Sequence, residues 1–399
     1  MAKPKHRVAY LVTHPIQYQA PLLRLISEQN DIDLTVFFQS DISLHTFADA
    51  GFGRSVKWDI PLVDGYRHEF LPGIWRDHGI TGQRPISWGL SARLKPTRFD
   101  ALWVHGYSRW VNWMGILIAK RRGLAVLVRD EATSFSSERS DARRYAKRLF
   151  FAILSRVVDA FLAIGSANRD YYLKHGIAAD RIFSVPYCVD NEFFAKGAEA
   201  AETSREQLRR ELEIEADQAV ILYASKFQPR KRPGDLLRAY ERLLGSLGDG
   251  ATPVLLFLGD GELRNTLEAE ARSKGFHAVR FLGFRNQTEL PQFYALCDVF
   301  VLPSMIEPWG LAVNEVMATG KPVIVSDRVG CAQDLVRDGV NGYVFPAGNI
   351  DALAGALMRV IKDRDQAARM GIASREIIAR WSFREDIEGL RLALQAVAR

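Results

Sequence analysis

The stretch SMIEPWGLAVNEVMATGKPVIVSD, Ser304 to Asp327, contains two glutamates, Glu307 and Glu315, on either side of a predicted helix start at Gly310. It follows the apolar run VFVLPS, which is typical of a buried strand. Three hypotheses fit two acids in this position: a general acid/base pair, a metal site, or a binding site for a polyol. A further alternative is purely structural, with one glutamate at the helix end and the other exposed.

The surroundings of the two glutamates favour binding of a polyol that also carries phosphate. Amide groups at a helix N-terminus attract anionic oxygens, and a carboxylate accepts hydrogen bonds from vicinal hydroxyls. A metal site would show further His or Asp ligands nearby, and this stretch has none before Asp327.

Short apolar runs alternate with helical segments along the whole chain, which predicts an α/β fold with parallel sheets. Two series of runs indicate two doubly wound domains. The first series is RVAYLVT, LTVFFQS, ALWVHG, AVLVRD and AFLAIG; the second is AVILYAS, PVLLFLG, VRFLGF, VFVLPS and PVIVSD.

The boundary between the two domains is predicted near SVPYCVDNEFF, residues 184–194, where a polar linker follows the last run of the first series. We therefore predict an N-terminal domain over residues 1–188 and a C-terminal domain over residues 189–378. The final segment, residues 379–399, is amphipathic and predicts a helix that crosses back to the N-terminal domain, with Ile387, Leu390, Leu392 and Leu394 available for packing.

Composition excludes several classes of protein. The chain has 399 residues, 48% hydrophobic and 25% charged, with a formal net charge of +6, which fits an anionic ligand but does not specify one. The three cysteines, Cys188, Cys297 and Cys331, are too widely spaced for a disulfide framework or a zinc site. No nucleic-acid-binding motif is present, and neither a signal peptide nor a bilayer-spanning run is predicted.

Three further loops follow strands of the C-terminal series, where ligands of open α/β sheets bind. KFQPRKRP clusters Lys226, Lys231 and two arginines, which suits a diphosphate. GDGEL, with Gly259, Asp260 and Gly261, permits a tight turn that either contacts a ligand or only connects two elements. The turn before Arg285 is equally open to both interpretations.

These residues resemble those of a known family. Glu307-Pro-Trp-Gly-Leu311, Glu315 and ATGKPVIVSD are similar to the E-x7-E signature of the retaining family 4 glycosyltransferases, and GVNGYVFPAGN is similar to the late turn of that family. The resemblance implies the GT-B architecture, two facing Rossmann-like domains with a deep interdomain cleft, and covers nearly the whole chain.

The resemblance implies a role for each matching residue of the C-terminal domain. Lys226 and Lys231 would hold the diphosphate of a nucleotide-sugar and stabilise it as it leaves, although Arg is more common at the first position. Glu315 would hold the ribose hydroxyls, and Glu307 would orient the transferred sugar. The remaining donor-binding residues would be Trp309, Gly310 and Leu311 at the helix start, Arg285 beside the base, and the turn Gly259, Asp260 and Gly261.

The N-terminal domain departs from the family pattern. Its first strand is followed by THPIQYQAP in place of a glycine-rich turn, so His14, Gln17 and Tyr18 are predicted on the acceptor side of the cleft. Where many members have a histidine after the fourth strand, this chain has Arg129 and Asp130. His105, after the preceding strand, is the alternative candidate for a catalytic histidine; the other interpretation is a strand-end histidine with a structural role.

The reaction implied by the resemblance is transfer of a sugar from a nucleotide-sugar to an acceptor hydroxyl with retention at the anomeric carbon. Neither a metal nor another cofactor is expected. A lipid-linked glycan of a bacterial surface polysaccharide or glycolipid is the expected acceptor. Two alternatives stay open, an inactive nucleotide-sugar-binding subunit and a nucleotide-sugar epimerase.

The segment ERSDARRYAKRLFFAILSRVV combines basic and apolar residues on a predicted helix. Residues 139–156 therefore predict either contact with an anionic membrane surface or a core helix with a solvated basic face. We expect a cytoplasmic protein, and the first interpretation places it on the inner face of the cell membrane as a peripheral protein.

Overall fold

The computed structural model describes residues 5–74, 85–135, 141–248 and 252–398, with the backbone alone for residues 74 and 141–144. The described chain forms two compact units. Unit 1 comprises Met1–Phe47, Val56–Val189 and Phe383–Arg399, and unit 2 comprises Ala48–Ser55 and Asp190–Ser382.

Unit 1 is built on a seven-stranded sheet whose described strand pairs are all parallel. The first strand of the chain lies inside the sheet, between the second strand and Ala101–His105. In spatial order the strands are Ile182–Ser184, Ala160–Ala163, Ala125–Arg129, Ala101–His105, His6–Val12, Ile32–Phe38 and His68–Phe70.

Helices cover both faces of this sheet because its strands are apolar on both sides. Val8, Tyr10 and Val12 pack into one core cluster, whereas Ala9 and Leu11 pack into a second cluster. Successive side chains of a strand point to opposite faces, so the two clusters are the two sides of one sheet. The helices are Ala20–Glu28, Leu90–Arg93, Trp110–Arg121, Asp141–Val157, Ser166–Lys174 and Phe383–Val397.

The C-terminal helix Phe383–Val397 belongs to unit 1. Ile387, Leu390 and Leu394 are buried in the first cluster, as their spacing predicts. Leu392 is 51% exposed, so the expectation that it packs is wrong. At 100° per residue, Leu392 lies on the side of the helix opposite Leu390 and Leu394.

Unit 2 contains a six-stranded sheet whose pairs are also parallel. Its order is Val279–Gly283, Val254–Leu258, Val220–Ala224, Val299–Leu302, Val323–Ser326 and Gly342–Phe345. Its helices are Asn191–Ala201, Arg205–Glu211, Pro233–Leu247, Arg264–Ser273, Leu290–Leu296, Leu311–Ala318, Ala332–Leu335, Ile350–Lys362 and Arg364–Ile378.

Short elements complete the described chain. Two-stranded pairs join Phe47–Asp49 to Arg54–Val56 and Gly73–Ile74 to Ile86–Ser87. Single 3-10 turns occur at Ile42–Leu44, Ala179–Arg181, Glu202–Ser204 and Pro229–Lys231.

The α/β class and the two parallel-sheet domains predicted from the apolar runs are confirmed. Each predicted run coincides with a strand. Three edge strands, His68–Phe70, Ile182–Ser184 and Gly342–Phe345, were not predicted from the runs. They have only three or four residues each, and such short elements give little periodic signal.

Candidate functional site

The order of strands in unit 2 reverses beside Val220–Ala224. This strand has Val254–Leu258 on one side and Val299–Leu302 on the other, and the chain visits the second neighbour only after completing the first side. A crevice forms outside the carboxyl ends of the strands at such a switch point, and ligands of doubly wound folds bind there. The two loops at this switch point are KFQPRKRP and SMIEPWG.

Backbone hydrogen bonds join these two loops. The amide of Met305 donates to the carbonyl of Arg230 at 2.8 Å. Residues Pro229–Lys231 form a 3-10 turn. The ring of Pro229 fixes its φ angle at a value that suits the first residue of such a turn. The turn directs Lys231 toward the strand-end loop that carries Glu307.

Lys231 and Glu307 form an ion pair, Nζ to Oε2, in which each side chain is only 10% exposed. Removing two charges from water costs free energy, which their mutual attraction offsets only with good geometry. Such a pair is therefore weak evidence for stability. At this topological switch point the pair places a cation and a carboxylate side by side.

The helix predicted after the glutamates begins at Leu311, with Gly310 as its N-cap residue at φ 103°. A side chain is strained at this backbone angle. The neighbouring loop also approaches closely, since a Cβ at Gly330 would lie 1.8 Å from the carbonyl oxygen of Pro308. The amides at this helix start are thus held at the same strand end as the ion pair.

Trp309 contributes backbone rather than a side chain to this site. Its ring is 3% exposed, donates from Nε1 to Oδ1 of Asn314 at 2.9 Å, and packs on Trp381 with centroids 5.3 Å apart. The indole is directed into the interior of unit 2, so only the backbone of Trp309 is available for the donor contact that the resemblance implies.

Glu315 lies one turn inside the helix. Tyr294 donates its hydroxyl to Oε2 of Glu315 at 2.6 Å. Burial raises the pKa of Glu315 to about 7, with the Tyr294 hydrogen bond acting in the opposite direction. The protonation of Glu315 therefore changes in the neutral pH range. A ligand that donates further hydrogen bonds to Glu315 would favour the charged carboxylate.

The turn Gly259-Asp260-Gly261 lies against the basic loop. The amide of Phe227 donates to the carbonyl of Asp260 at 2.8 Å. A Cβ at Gly259 would lie 2.0 Å from the carbonyl oxygen of Ser225, so glycine is required for this approach. The turn thus has a structural role, and its proximity to the basic loop keeps the ligand interpretation open.

Lys226 and Arg285 have contacts of their own. Lys226 Nζ lies 2.8 Å from Oδ1 of Asp49 and 4.5 Å from the ring centroid of Phe52. Arg285 donates to Oε1 of Glu289 at 3.1 Å, and its guanidinium carbon lies 5.4 Å from the ring centroid of Phe293.

Unit 1 has a switch point of its own, between strands His6–Val12 and Ala101–His105, where the loop carrying Tyr18 meets His105 at the end of its strand. Oη of Tyr10 lies 3.0 Å from Nδ1 of His105, and Oη of Tyr187 lies 3.5 Å from Nε2 of His105. Tyr187 in turn donates to Oε1 of Glu131 at 2.6 Å. We call this group, completed by Gln19 and Tyr18, the His105 cluster.

His105 is neutral in this environment. Burial, with smaller contributions from the charges of Arg129 and His14, lowers the pKa of His105 to about 3. A neutral imidazole has one donor and one acceptor nitrogen. His105 is therefore suited to hydrogen bonding with a hydroxyl, and not to supplying a positive charge.

The other predicted residues of unit 1 divide into accessible and buried groups. His14 and Gln17 are partly exposed in the loop after the first strand, and the ring of His14 lies 2.8 Å from the Thr13 hydroxyl through Nδ1. Burial raises the pKa of Asp130 to about 6. Arg129, predicted at the acceptor side, is instead 2% exposed and donates to Oδ2 of Asp386 at 2.7 Å.

Several residues of the two sites did not stand out in the sequence. They are Tyr10, Gln19, Glu131 and Tyr187 in unit 1, and Asp49, Phe52 and Tyr294 in unit 2. The signal for Glu131 was its position directly after Asp130 at a strand end. Asp49 and Phe52 lie far from their partners in sequence, and no periodicity links them.

Among the residues that the structure describes, no group of three or more His, Cys, Asp or Glu side chains could hold a metal ion. The described helices include none that is long and apolar enough to cross a bilayer.

Comparison with known proteins shows which family the C-terminal part of the chain is similar to. Residues 204–377 match the family "Glycosyl transferases group 1", and this range contains Lys226, Lys231, Glu307 and Glu315. The match covers the C-terminal part of the chain, within unit 2. The predicted resemblance to this group of glycosyltransferases is confirmed.

Single relatives and solved structures are similar to different shares of this chain. An uncharacterized glycosyltransferase of Methanocaldococcus jannaschii is 33% identical over 45% of this chain, and the chain spans 40% of that relative. The UDP-Gal:alpha-D-GlcNAc-diphosphoundecaprenol alpha-1,3-galactosyltransferase of Escherichia coli is 25% identical over 76% of this chain and 77% of its own length.

The crystal structure of Anabaena HepE in complex with UDP superposes with a TM-score of 0.73 at 18% identity, covering 98% of this chain and 99% of that one. At this identity the likeness shows the fold alone. The two units therefore have the GT-B fold, which consists of two Rossmann-like domains.

Proposed function

We propose that this chain is a retaining, metal-independent glycosyltransferase that moves a sugar from a nucleotide-sugar to an acceptor hydroxyl. The observation that carries the proposal is the Lys231–Glu307 pair, which lies nearly buried at the switch point of unit 2. A ligand with phosphate and hydroxyl groups would separate the pair, with its phosphate on Lys231 and a sugar hydroxyl on Glu307.

The remaining donor contacts follow from the same arrangement. The amides from Trp309 to Leu311 would face the phosphates at the helix start, and the Glu315 carboxylate would accept hydrogen bonds from the ribose. Arg285 would lie beside the base. Lys226 and Lys231 would stabilise the diphosphate as its bond to the anomeric carbon breaks, because negative charge develops there. Two cations and the helix start would supply this stabilisation without a metal.

The acceptor would bind to unit 1, at the His105 cluster. Its neutral imidazole and the carboxylate of Glu131 offer hydrogen-bond partners for a hydroxyl. His105 would orient the acceptor hydroxyl through a hydrogen bond. The Escherichia coli relative is named for a diphosphoundecaprenol-linked acceptor, which supports a lipid-linked glycan of a bacterial surface polysaccharide or glycolipid.

A lipid-linked acceptor would require contact with the membrane, and helix Asp141–Val157 supports such contact. Tyr145, Leu149 and Ile153 are 72%, 54% and 49% exposed and lie four residues apart, on one face of the helix. Arg148 and Arg156 are exposed on the same face. An apolar stripe with basic neighbours suits an anionic lipid surface. Arg139 lies outside the described residues, as do the side chains of Arg143 and Arg144.

Sedimentation with liposomes tests this contact. Wild type would bind vesicles that contain phosphatidylglycerol in a salt-sensitive manner, and a Leu149→Ser/Ile153→Ser variant would lose most of the binding. A matched variant at an exposed apolar residue elsewhere, Ile372→Ser, serves as control. Equal sedimentation of wild type with anionic and neutral vesicles would contradict a peripheral location at the inner face of the cell membrane.

A thermal-shift screen with UDP-, GDP-, ADP- and TDP-linked sugars tests the proposed donor. A ligand that binds only the folded state raises the apparent stability. We expect at least one nucleotide-sugar to raise the Tm of wild type and to have a much smaller effect on Lys231→Met. The absence of any shift with all four donors, at millimolar concentration, would contradict the proposal.

A further inference from the structure

The hairpin Ala48–Ser55 belongs to unit 2, although the rest of unit 2 begins only at Asp190. It contacts all three strand-end loops on one side of the sheet. Asp49 contacts Lys226, Arg54 approaches Asp260 with Nη1 3.9 Å from Oδ2, and Phe52 packs edge-on against Phe284 with centroids 4.8 Å apart.

The contact with Lys226 is the strongest of these. Both oxygens of Asp49 reach the ammonium, at 2.8 and 3.0 Å. The side chain of Asp49 is 17% exposed and that of Lys226 is 31% exposed. The ring of Phe52 lies 4.5 Å from the same ammonium. Lys226 is thus neutralised by a carboxylate and shielded by an aromatic ring.

The fit between hairpin and lysine is close. Oδ1 of Asp49 also accepts the amides of Gly51 and Phe52, at 2.8 and 3.0 Å, which fixes the turn. A Cβ at Gly51 would lie 2.7 Å from Nζ of Lys226, so a side chain at this position would push the end of the lysine aside. The hairpin is therefore shaped around the lysine that the proposed function assigns to the donor diphosphate.

An anion on Lys226 opposes the binding of a second one. Like charges a few ångströms apart repel each other, and a partly buried site screens this repulsion less than bulk water does. A diphosphate that reached Lys226 with Asp49 still in place would meet this repulsion and share the ammonium. When the diphosphate replaces Asp49 on Lys226, the two anions no longer repel each other and no longer share the ammonium.

We propose that the hairpin Ala48–Ser55 competes with the donor diphosphate for Lys226, with Asp49 as the competing anion. The inference rests on the proposed function, since it takes the donor to be a nucleotide-sugar. Donor binding displaces Asp49, and the hairpin sets the apparent affinity. The apparent dissociation constant is the intrinsic one divided by the fraction of molecules with the hairpin displaced.

Calorimetric titration of the full chain with UDP-glucose, GDP-mannose, ADP-glucose and TDP-glucose tests the competition. Asp49→Asn keeps an Oδ1 acceptor for the Gly51 and Phe52 amides but loses the charge. We expect this variant to bind the preferred donor about tenfold more tightly than wild type, as for a hairpin displaced in one molecule in ten. Asp217→Asn, at an exposed aspartate of the same unit, removes an equal charge and should leave the affinity unchanged.

A second variant and a second measurement separate competition from a change in folding. Phe52→Ala should also tighten binding, and the wild-type amides of residues 49–55 should exchange hydrogen faster once the donor is added. Unchanged or weaker binding by Asp49→Asn, with measurable binding by wild type, would overturn the competition and leave the donor site standing. If none of the four donors binds wild type or either hairpin variant, the proposed function fails, and the competition fails with it.

Discussion

Glu307 and Glu315 have the same side chain in two different environments. Glu307 is paired with Lys231 in a nearly buried contact. Glu315 accepts a hydrogen bond from the hydroxyl of Tyr294, and burial raises the pKa of Glu315 to about 7. The two carboxylates therefore respond differently to substitution and to pH, although the sequence presents them as one motif.

Removal of Glu307 leaves the Lys231 ammonium buried without this carboxylate. We expect Glu307→Ala to lower the free energy of unfolding by about 3 kcal/mol, since breaking one half of a buried pair exposes an uncompensated charge to a low-dielectric environment. The double variant Glu307→Ala/Lys231→Met should recover all but about 1 kcal/mol of the loss. Urea denaturation of the three proteins measures both values. A single variant as stable as wild type would contradict the energetic coupling.

The raised pKa of Glu315 predicts a pH-dependent donor affinity. The carboxyl is mostly protonated at pH 6 and mostly ionised at pH 8, because its pKa is about 7. An ionised carboxylate accepts hydrogen bonds from both ribose hydroxyls, so the affinity for a nucleotide-sugar should rise roughly tenfold over this range. The phosphates of a nucleotide-sugar are diesters and do not titrate there.

The Glu315→Gln variant is the control for this pH dependence, since its amide does not titrate. Calorimetric titration at several pH values should give a nearly flat profile for this variant. A wild-type profile that is equally flat would show that Glu315 does not change its protonation on binding.

At the scale of elements, the C-terminal helix Phe383–Val397 depends on a close approach to the first sheet. A Cβ at Gly389 would lie 1.8 Å from the carbonyl oxygen of Ser184. The same helix carries Asp386, whose side chain is fully buried and paired with Arg129. Burial raises the pKa of Asp386, while the Arg129 charge acts in the opposite direction.

Two glycine substitutions test this packing. We expect Gly389→Ala to destabilise the protein by about 2 to 3 kcal/mol, because the new methyl group must displace backbone. Gly355→Ala, in helix Ile350–Lys362 with nothing within 4 Å of its Cβ position, should instead stabilise by about 0.5 to 1 kcal/mol. Thermal unfolding compares the two. Equal Tm values for both variants would contradict the close approach.

The sequence predicted the elements better than it predicted their contacts. Continuous apolar runs indicated the buried parallel strands, because both faces of such a strand are covered. The amphipathic spacing of Ile387, Leu390 and Leu394 indicated the last helix. The hairpin Ala48–Ser55 gave no comparable signal, since its partners Lys226 and Phe284 are brought close only by the fold of unit 2.

For the whole molecule, most of the candidate donor site was predictable because its residues are the first ones after successive strands. Strand order then decides which of these loops are neighbours, and this order is not encoded locally. Arg129 illustrates the limit. Its position after a strand suggested an accessible side chain, but Asp386, distant in sequence, pairs with it inside unit 1.

A glycosyl-transfer site at the Lys231–Glu307 pair can be tested by the release of nucleoside diphosphate from UDP-, GDP-, ADP- and TDP-linked sugars. The proteins to compare are wild type, Glu307→Ala, Lys231→Ala and the exposed-site control Asp217→Ala. We expect release from at least one donor by wild type and the control, and a loss of about 100-fold or more in both pair variants, as for groups that act on the developing charge. Release that survives in both pair variants, or no release from any donor, would contradict it.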